Sequence, residues 1–158
     1  MKYLIDTHIL IWFLEGDKQL STEISALIEN SQNEVYISQA SLWEMAIKIG
    51  IGKLRLSISL SELEQFLMGH QFQILPINFP HYEELQNLAF HHQDPFDRMI
   101  IAQAKVENLI LITHDRRFQM YDVNLFCSIV GWVDRPQTPN SQNYNHQIIK
   151  TIAKPTQK

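Results

Sequence analysis

Short apolar runs, each followed by a stretch with helical spacing, recur along this chain and narrow its fold more than any other feature. Lys2 to Ile5 is such a run, and Thr7 to Leu14 follows it with Ile9, Leu10, Phe13 and Leu14 on one face. Glu34 to Ser38 reads as a second strand, followed by a helix from about Ser41 to Ile49 with Leu42, Met45, Ala46 and Ile49 as its apolar stripe. Phe72 to Ile77 reads as a third, with Pro76 marking an edge, and a helix over about His81 to Phe90 comes next. Leu109 to Thr113 is the clearest buried strand, and Leu125 to Val130 is a further candidate. Strands that alternate with helices predict an α/β fold with a largely parallel sheet.

Between the strands, the helix limits are written in local chemistry. Gly16 stops the first helix, and Ser21 starts a second that runs to about Glu29, with Ile24, Leu27 and Ile28 inward. Gly50 and Gly52 make a helix stop and turn; Lys53 lacks the following Ser or Thr of a phosphate loop. Leu54 to Leu60 alternates apolar and polar residues and predicts a short extended segment. Ser61 with Glu64 fits a capping box for a helix with Leu63, Phe66 and Leu67 inward and Gly69 at its end. Asn108 closes the helix before the LILIT strand.

At 158 residues the chain is long enough for one domain with a proper core, and 45% apolar with 19% charged residues is ordinary for a soluble globular protein. We place that domain at residues 1–133. A polar tail with three prolines, expected to be flexible, follows at 134–158. The net charge of −4 provides no global basic field and weighs against a protein that only binds nucleic acid. It leaves room for an enzyme whose acidic site holds a cation. Cys127 is the single cysteine, which excludes an intrachain disulfide and gives no thiolate zinc site. No signal-peptide pattern opens the sequence, and no apolar run nears the roughly 20 residues of a membrane span. These features predict a cytoplasmic protein.

Four acids occupy positions that an α/β fold could bring together. Asp6 and Asp115 each follow a strand, at the end where open parallel sheets gather their ligands. Asp97 lies in the first turn of a helix that Asp94 would cap and Pro95 would begin, with Phe96, Ile100 and Ala104 as its buried stripe. Glu44 lies off the apolar stripe of its own helix. Three of the four have a structural alternative. Asp6 fits an N-cap, Asp97 a capping-box acid, and Glu44 an exposed i,i+4 ion pair with Lys48. His91 and His92 read as loop residues ahead of the Asp94 cap. If the four acids converge, they stay ionised together only when cations neutralise them, and hard oxygen donors favour Mg2+ or Mn2+. Such a centre suits hydrolysis of phosphodiesters.

The segments LIDTHILIW, SLWEMAIK, HHQDPFDRMIIAQA and LITHDRRF, in this order, resemble the PIN-domain ribonucleases, nearest to VapC-type toxins of type II toxin–antitoxin pairs. The resemblance covers about residues 2–132. It implies a three-layer α/β/α sandwich on a mainly parallel sheet of about five strands. It also implies an acidic Mg2+ or Mn2+ site at Asp6, Glu44, Asp97 and Asp115, with Thr113 as a supporting hydroxyl and Arg98 and Arg116 as phosphate contacts. The implied activity is endoribonucleolytic cleavage of RNA, by a homodimer silenced by a small antitoxin protein. Two other readings stay open. One is an inert PIN-like module that binds RNA or protein. The other is a phosphohydrolase with an aspartyl nucleophile, against which His8 stands where a D-x-D start would have its second acid. His114 is assigned no chemistry, and the tail lies outside the resemblance.

Overall fold

The structure, a computed structural model, describes residues 1–126. The tail at 134–158, Cys127 and the last-strand candidate beyond Phe126 lie outside the described residues. Four strands, β1 (Lys2–Ile5), β2 (Glu34–Ser38), β3 (Gln73–Leu75) and β4 (Ile110–Ile112), form one parallel sheet in the order β3-β2-β1-β4. Leu125 adds a single parallel bridge to Leu111, on the far side of β4. Six α-helices connect the strands: α1 (Thr7–Glu15), α2 (Thr22–Glu29), α3 (Gln39–Gly50), α4 (Leu60–Gly69), α5 (Phe79–Asn87) and α6 (Pro95–Val106). A short 3-10 helix, Arg116–Met120, follows β4.

Alternation along β1 divides its side chains between two cores. Tyr3 and Ile5 join Ile9, Phe13 and Leu14 of α1, Ile28 of α2, and Phe66 and Leu67 of α4 on one face. Leu4 joins Ile100, Ile101 and Ala104 of α6, together with Phe118 and Tyr121, on the other. The result is the three-layer α/β/α sandwich. Among the described residues no helix is long and apolar enough to cross a membrane.

Register and strand order together create the crevice. Ile5 stands level with Ile37 on one side and Ile112 on the other, so β1 and β4 end together and β2 runs one residue further, to Ser38. The chain moves outward from β1 through β2 to β3, then returns to place β4 against the opposite side of β1. The sheet therefore has a topological switch point between β1 and β4, where open α/β folds leave a cleft at the strands' carboxyl ends. The Asp6 N–H donates to the Ile112 carbonyl at 3.1 Å and ties those two ends together.

Several local expectations shift. Leu54 to Ile58 keeps the expected alternation, with Arg55 and Ser57 exposed between half-buried apolar residues, but joins no sheet, and Leu60 already belongs to α4. The edge position beside β2 already belongs to β3, so Leu54, Leu56 and Ile58 lie partly buried on the α1-side core. Glu15 holds this segment by accepting from the Ser57 N–H at 2.8 Å. The capping box of α4 is Ser59 with Glu62, two residues earlier than Ser61 with Glu64. Both pairs have the required spacing, and the earlier start leaves Ser61 and Glu64 exposed. Helix α5 begins at Phe79, two residues before His81, because Asn78 is its N-cap and the His81 ring accepts from the Asn78 N–H at 3.1 Å.

Candidate active site

Asp6 is buried at the end of β1 and serves as the α1 N-cap, its Oδ1 accepting from the Ile9 N–H at 2.8 Å. Burial raises its pKa, while hydrogen bonds from the Thr113 side chain and the Ile9 N–H act in the other direction. The Thr113 hydroxyl also accepts from the Asp115 N–H at 3.1 Å. It thus links the acid after β1 to the acid after β4.

Glu44 projects from the second turn of α3 and is only 4% exposed. Its Oε2 accepts from the Thr7 hydroxyl and its Oε1 from the Lys48 ammonium, each at 2.5 Å. The i,i+4 ion pair is present, yet its acidic partner is buried rather than solvated. Convergence of α3 with α1 and α6 removes Glu44 from water, a fact that helical spacing within α3 does not contain.

Asp94 caps α6 by accepting from the Phe96 N–H at 2.8 Å, and Pro95 follows at the first helical position. Asp97, two residues further on, is pushed up to about 7, first by burial and then by Asp94, Asp6, Glu44 and Asp115. The acids that lie far apart in sequence thus act on one carboxyl.

Asp115 has the opposite environment. Arg117 forks onto it, with Nη2 at 2.5 Å and Nε at 3.0 Å from Oδ2, and the Arg117 N–H donates to Oδ1 at 2.9 Å. The Arg117 hydrogen bonds hold the Asp115 carboxyl well below the usual carboxylate range. On its inner side, His92 Nε2 lies 3.4 Å from Oδ2. The His92 ring is fully buried. Its Nδ1 lies 3.3 Å from the Tyr121 hydroxyl, which also accepts from the His92 N–H at 2.7 Å. Burial lowers the His92 pKa, which favours the neutral imidazole, a form able to ligate metal. One ligand atom each from His92, Asp97 and Asp115 lies within 4.8 Å of the others.

The three cations near this region differ. Arg98 is nearly buried, and its guanidinium donates to the carbonyls of Ala89 at 2.8 Å, Leu88 at 3.0 Å and Leu85 at 3.3 Å while covering the Phe90 ring. That geometry ties Arg98 to the end of α5 and the loop after it. Arg116 is exposed at the start of the 3-10 helix. Arg117, its neighbour, stands on Asp115. Sequence reasoning missed both Arg117 and His92, because the adjacent-histidine and adjacent-arginine pairs carry no mark of which member faces inward.

As a donor set, several carboxylate oxygens with one neutral imidazole fit a hard divalent cation. The upward shift of Asp97, caused first by burial and then by its acidic neighbours, is the demand such an ion would meet. Fold and site together define a switch-point α/β/α protein with a shared acidic crevice.

Within that class, the sequence matches the PIN domain family over residues 3–124, and the chain belongs to this family. No curated protein matches it. Among solved structures, the fold is similar to VapBC2 from Rickettsia felis bound to a DNA fragment from its promoter. That match has a TM-score of 0.61 and 20% identity, over 80% of this chain and 98% of the other. VapBC-1 from nontypeable Haemophilus influenzae matches with a TM-score of 0.60 and 20% identity, over 80% of this chain and 97% of the other. A toxin–antitoxin complex from Klebsiella pneumoniae matches at 0.54 and 22%, over 79% and 96%. Identities this low establish likeness of fold.

Proposed function

We propose that this PIN-domain protein is a Mg2+- or Mn2+-dependent endoribonuclease and the toxin of a type II toxin–antitoxin pair. The observation that carries the reading is the close approach of Asp97, Asp115 and His92, with one ligand atom each within 4.8 Å of the others, at a carboxyl that Asp6 and Glu44 also push upward. The likeness to toxin–antitoxin complexes supports the biological assignment. In this reading the partners are an RNA substrate, a small antitoxin protein and a second copy of the chain, and the protein works in the cytoplasm.

Asp6, Asp97 and Asp115 would hold the cation, with Glu44 as a further ligand or as the acceptor that orients the attacking water. The bound ion would supply charge stabilisation at the scissile phosphate and acidify water. The chain's own residues set the geometry. Thr7 and Lys48 fix the two Glu44 oxygens separately, which limits rotation of the carboxylate. Thr113 holds Asp6 and the Asp115 backbone in one unit. His92 supports Asp115 from the buried side. Attack by water requires no covalent enzyme intermediate.

The test is cleavage of a mixed RNA pool by purified protein with Mg2+ or Mn2+, with chelator, and with Asp97→Asn. Cleavage that needs both metal and Asp97 supports the reading. A folded protein that neither binds divalent cations nor cuts RNA overturns it in favour of an inert binding module.

A further inference from the structure

The Asp115 carboxylate is hydrogen-bonded on both oxygens. Oδ2 accepts from Arg117 Nη2 and Nε and faces His92 Nε2, and Oδ1 accepts from the Arg117 N–H. Nε also lies 3.2 Å from Oδ1. A divalent cation approaching this acid meets a carboxylate whose outer side is occupied. The occupant is easily moved, since the Arg117 side chain is 59% exposed and exposed ion pairs are weak. The Arg117 N–H belongs to the backbone cap of the 3-10 helix, so displacement would swing the side chain alone. The released guanidinium would remain one side-chain length from the acids, with a planar fork free for phosphate oxygens. Of the neighbouring cations, Arg98 is committed to carbonyls and Lys48 to Glu44, while Arg116 lies exposed one residue before Arg117, and it is Arg117 that forks onto Asp115.

We propose that Arg117 is the phosphate-binding residue of this site, and that its guanidinium acts as an internal counter-ion on Asp115 until a divalent cation displaces it. The inference rests on the metal-dependent reading above. Ion entry and phosphate recognition are thereby coupled. The acid accepts the metal only by releasing the arginine, and the arginine reaches substrate only after the metal has replaced it.

Two binding measurements test this without reference to turnover. Calorimetric titration of the chelator-stripped protein with Mn2+ should show R117A binding about threefold to tenfold more tightly than the unaltered chain. Fluorescence anisotropy of a short mixed-sequence RNA in Ca2+ buffer should show R117A binding about tenfold more weakly. R117K keeps the charge without the fork. It should bind Mn2+ more tightly than the unaltered chain and RNA with intermediate affinity. Thermal melts confirm that each variant is folded. Equal Mn2+ affinity in the unaltered chain and R117A overturns the counter-ion role and leaves the nuclease reading standing. Unchanged RNA affinity in R117A overturns the phosphate role. Absence of Mn2+ binding in both chains overturns this inference together with the metal-dependent reading.

Discussion

Asp97 and Asp115 face the same crevice with opposite protonation preferences, and the contrast has consequences for stability. Asp97 titrates near 7 when folded, against about 3.9 in an unfolded chain. Between these values the folded state binds the extra proton. Its contribution to stability is fully present below the unfolded value and is lost as pH rises through about 7. The metal-free protein should therefore lose stability between about pH 4 and pH 7 from this residue. Asp97→Asn should abolish cleavage, yet raise the metal-free melting temperature at about pH 8 by roughly 2–5 °C. Melts across pH in chelator, compared with the unaltered chain, check this; a lower melting temperature for the variant would return Asp97 to a capping role. Asp115 has a depressed pKa, so its contribution is present above the unfolded value and disappears as pH falls through the folded one. Asp115→Asn should accordingly be less steeply destabilised in acid than the unaltered chain. Neither sign is readable from D-P-F-D or T-H-D alone, because each depends on which charges the fold supplies.

Helix ends and their supports account for the local differences. Two Ser-x-x-Glu pairs overlap before α4, and the structure uses Ser59 with Glu62. Ser59→Ala should cost about 1 kcal/mol in urea unfolding, whereas Ser61→Ala should stay within about 0.5 kcal/mol. Equal effects would contradict the assignment. Arg98 presents a sharper separation of roles. Arg98→Met removes donors from the Ala89, Leu88 and Leu85 carbonyls and should cost about 2–4 kcal/mol of stability. Mn2+ affinity of the folded variant should stay near that of the unaltered chain. A large loss of RNA affinity without loss of stability would restore Arg98 as a phosphate contact. The sequence shows Arg98 within an apolar helix but not the carbonyls that await it, since those belong to the end of α5.

Across the whole molecule, the acids should make stability depend on divalent ions. An ion that binds only the folded state at a hundredfold excess over its Kd stabilises by about 2.7 kcal/mol. For a chain of this size, Mn2+ should then raise the melting temperature by roughly 5–10 °C. The shift should vanish in the Asp6→Asn, Asp97→Asn double variant; its persistence there would place the ion elsewhere. Local sequence alone determined the strand–helix alternation, the caps at Asp6, Ser21 and Asp94, the left-handed stop at Gly16 and the Glu44–Lys48 pair. Those features depend on residues within one or two turns of each other, so spacing suffices to find them. Only the tertiary structure decided that β4 returns to the far side of β1, that Glu44 is buried, that His92 and Arg117 flank Asp115, and that Arg98 turns away. Each of these depends on the distance between residues separated by whole elements, or on which of two adjacent side chains faces inward. The packing of the sheet and its two helical layers sets both.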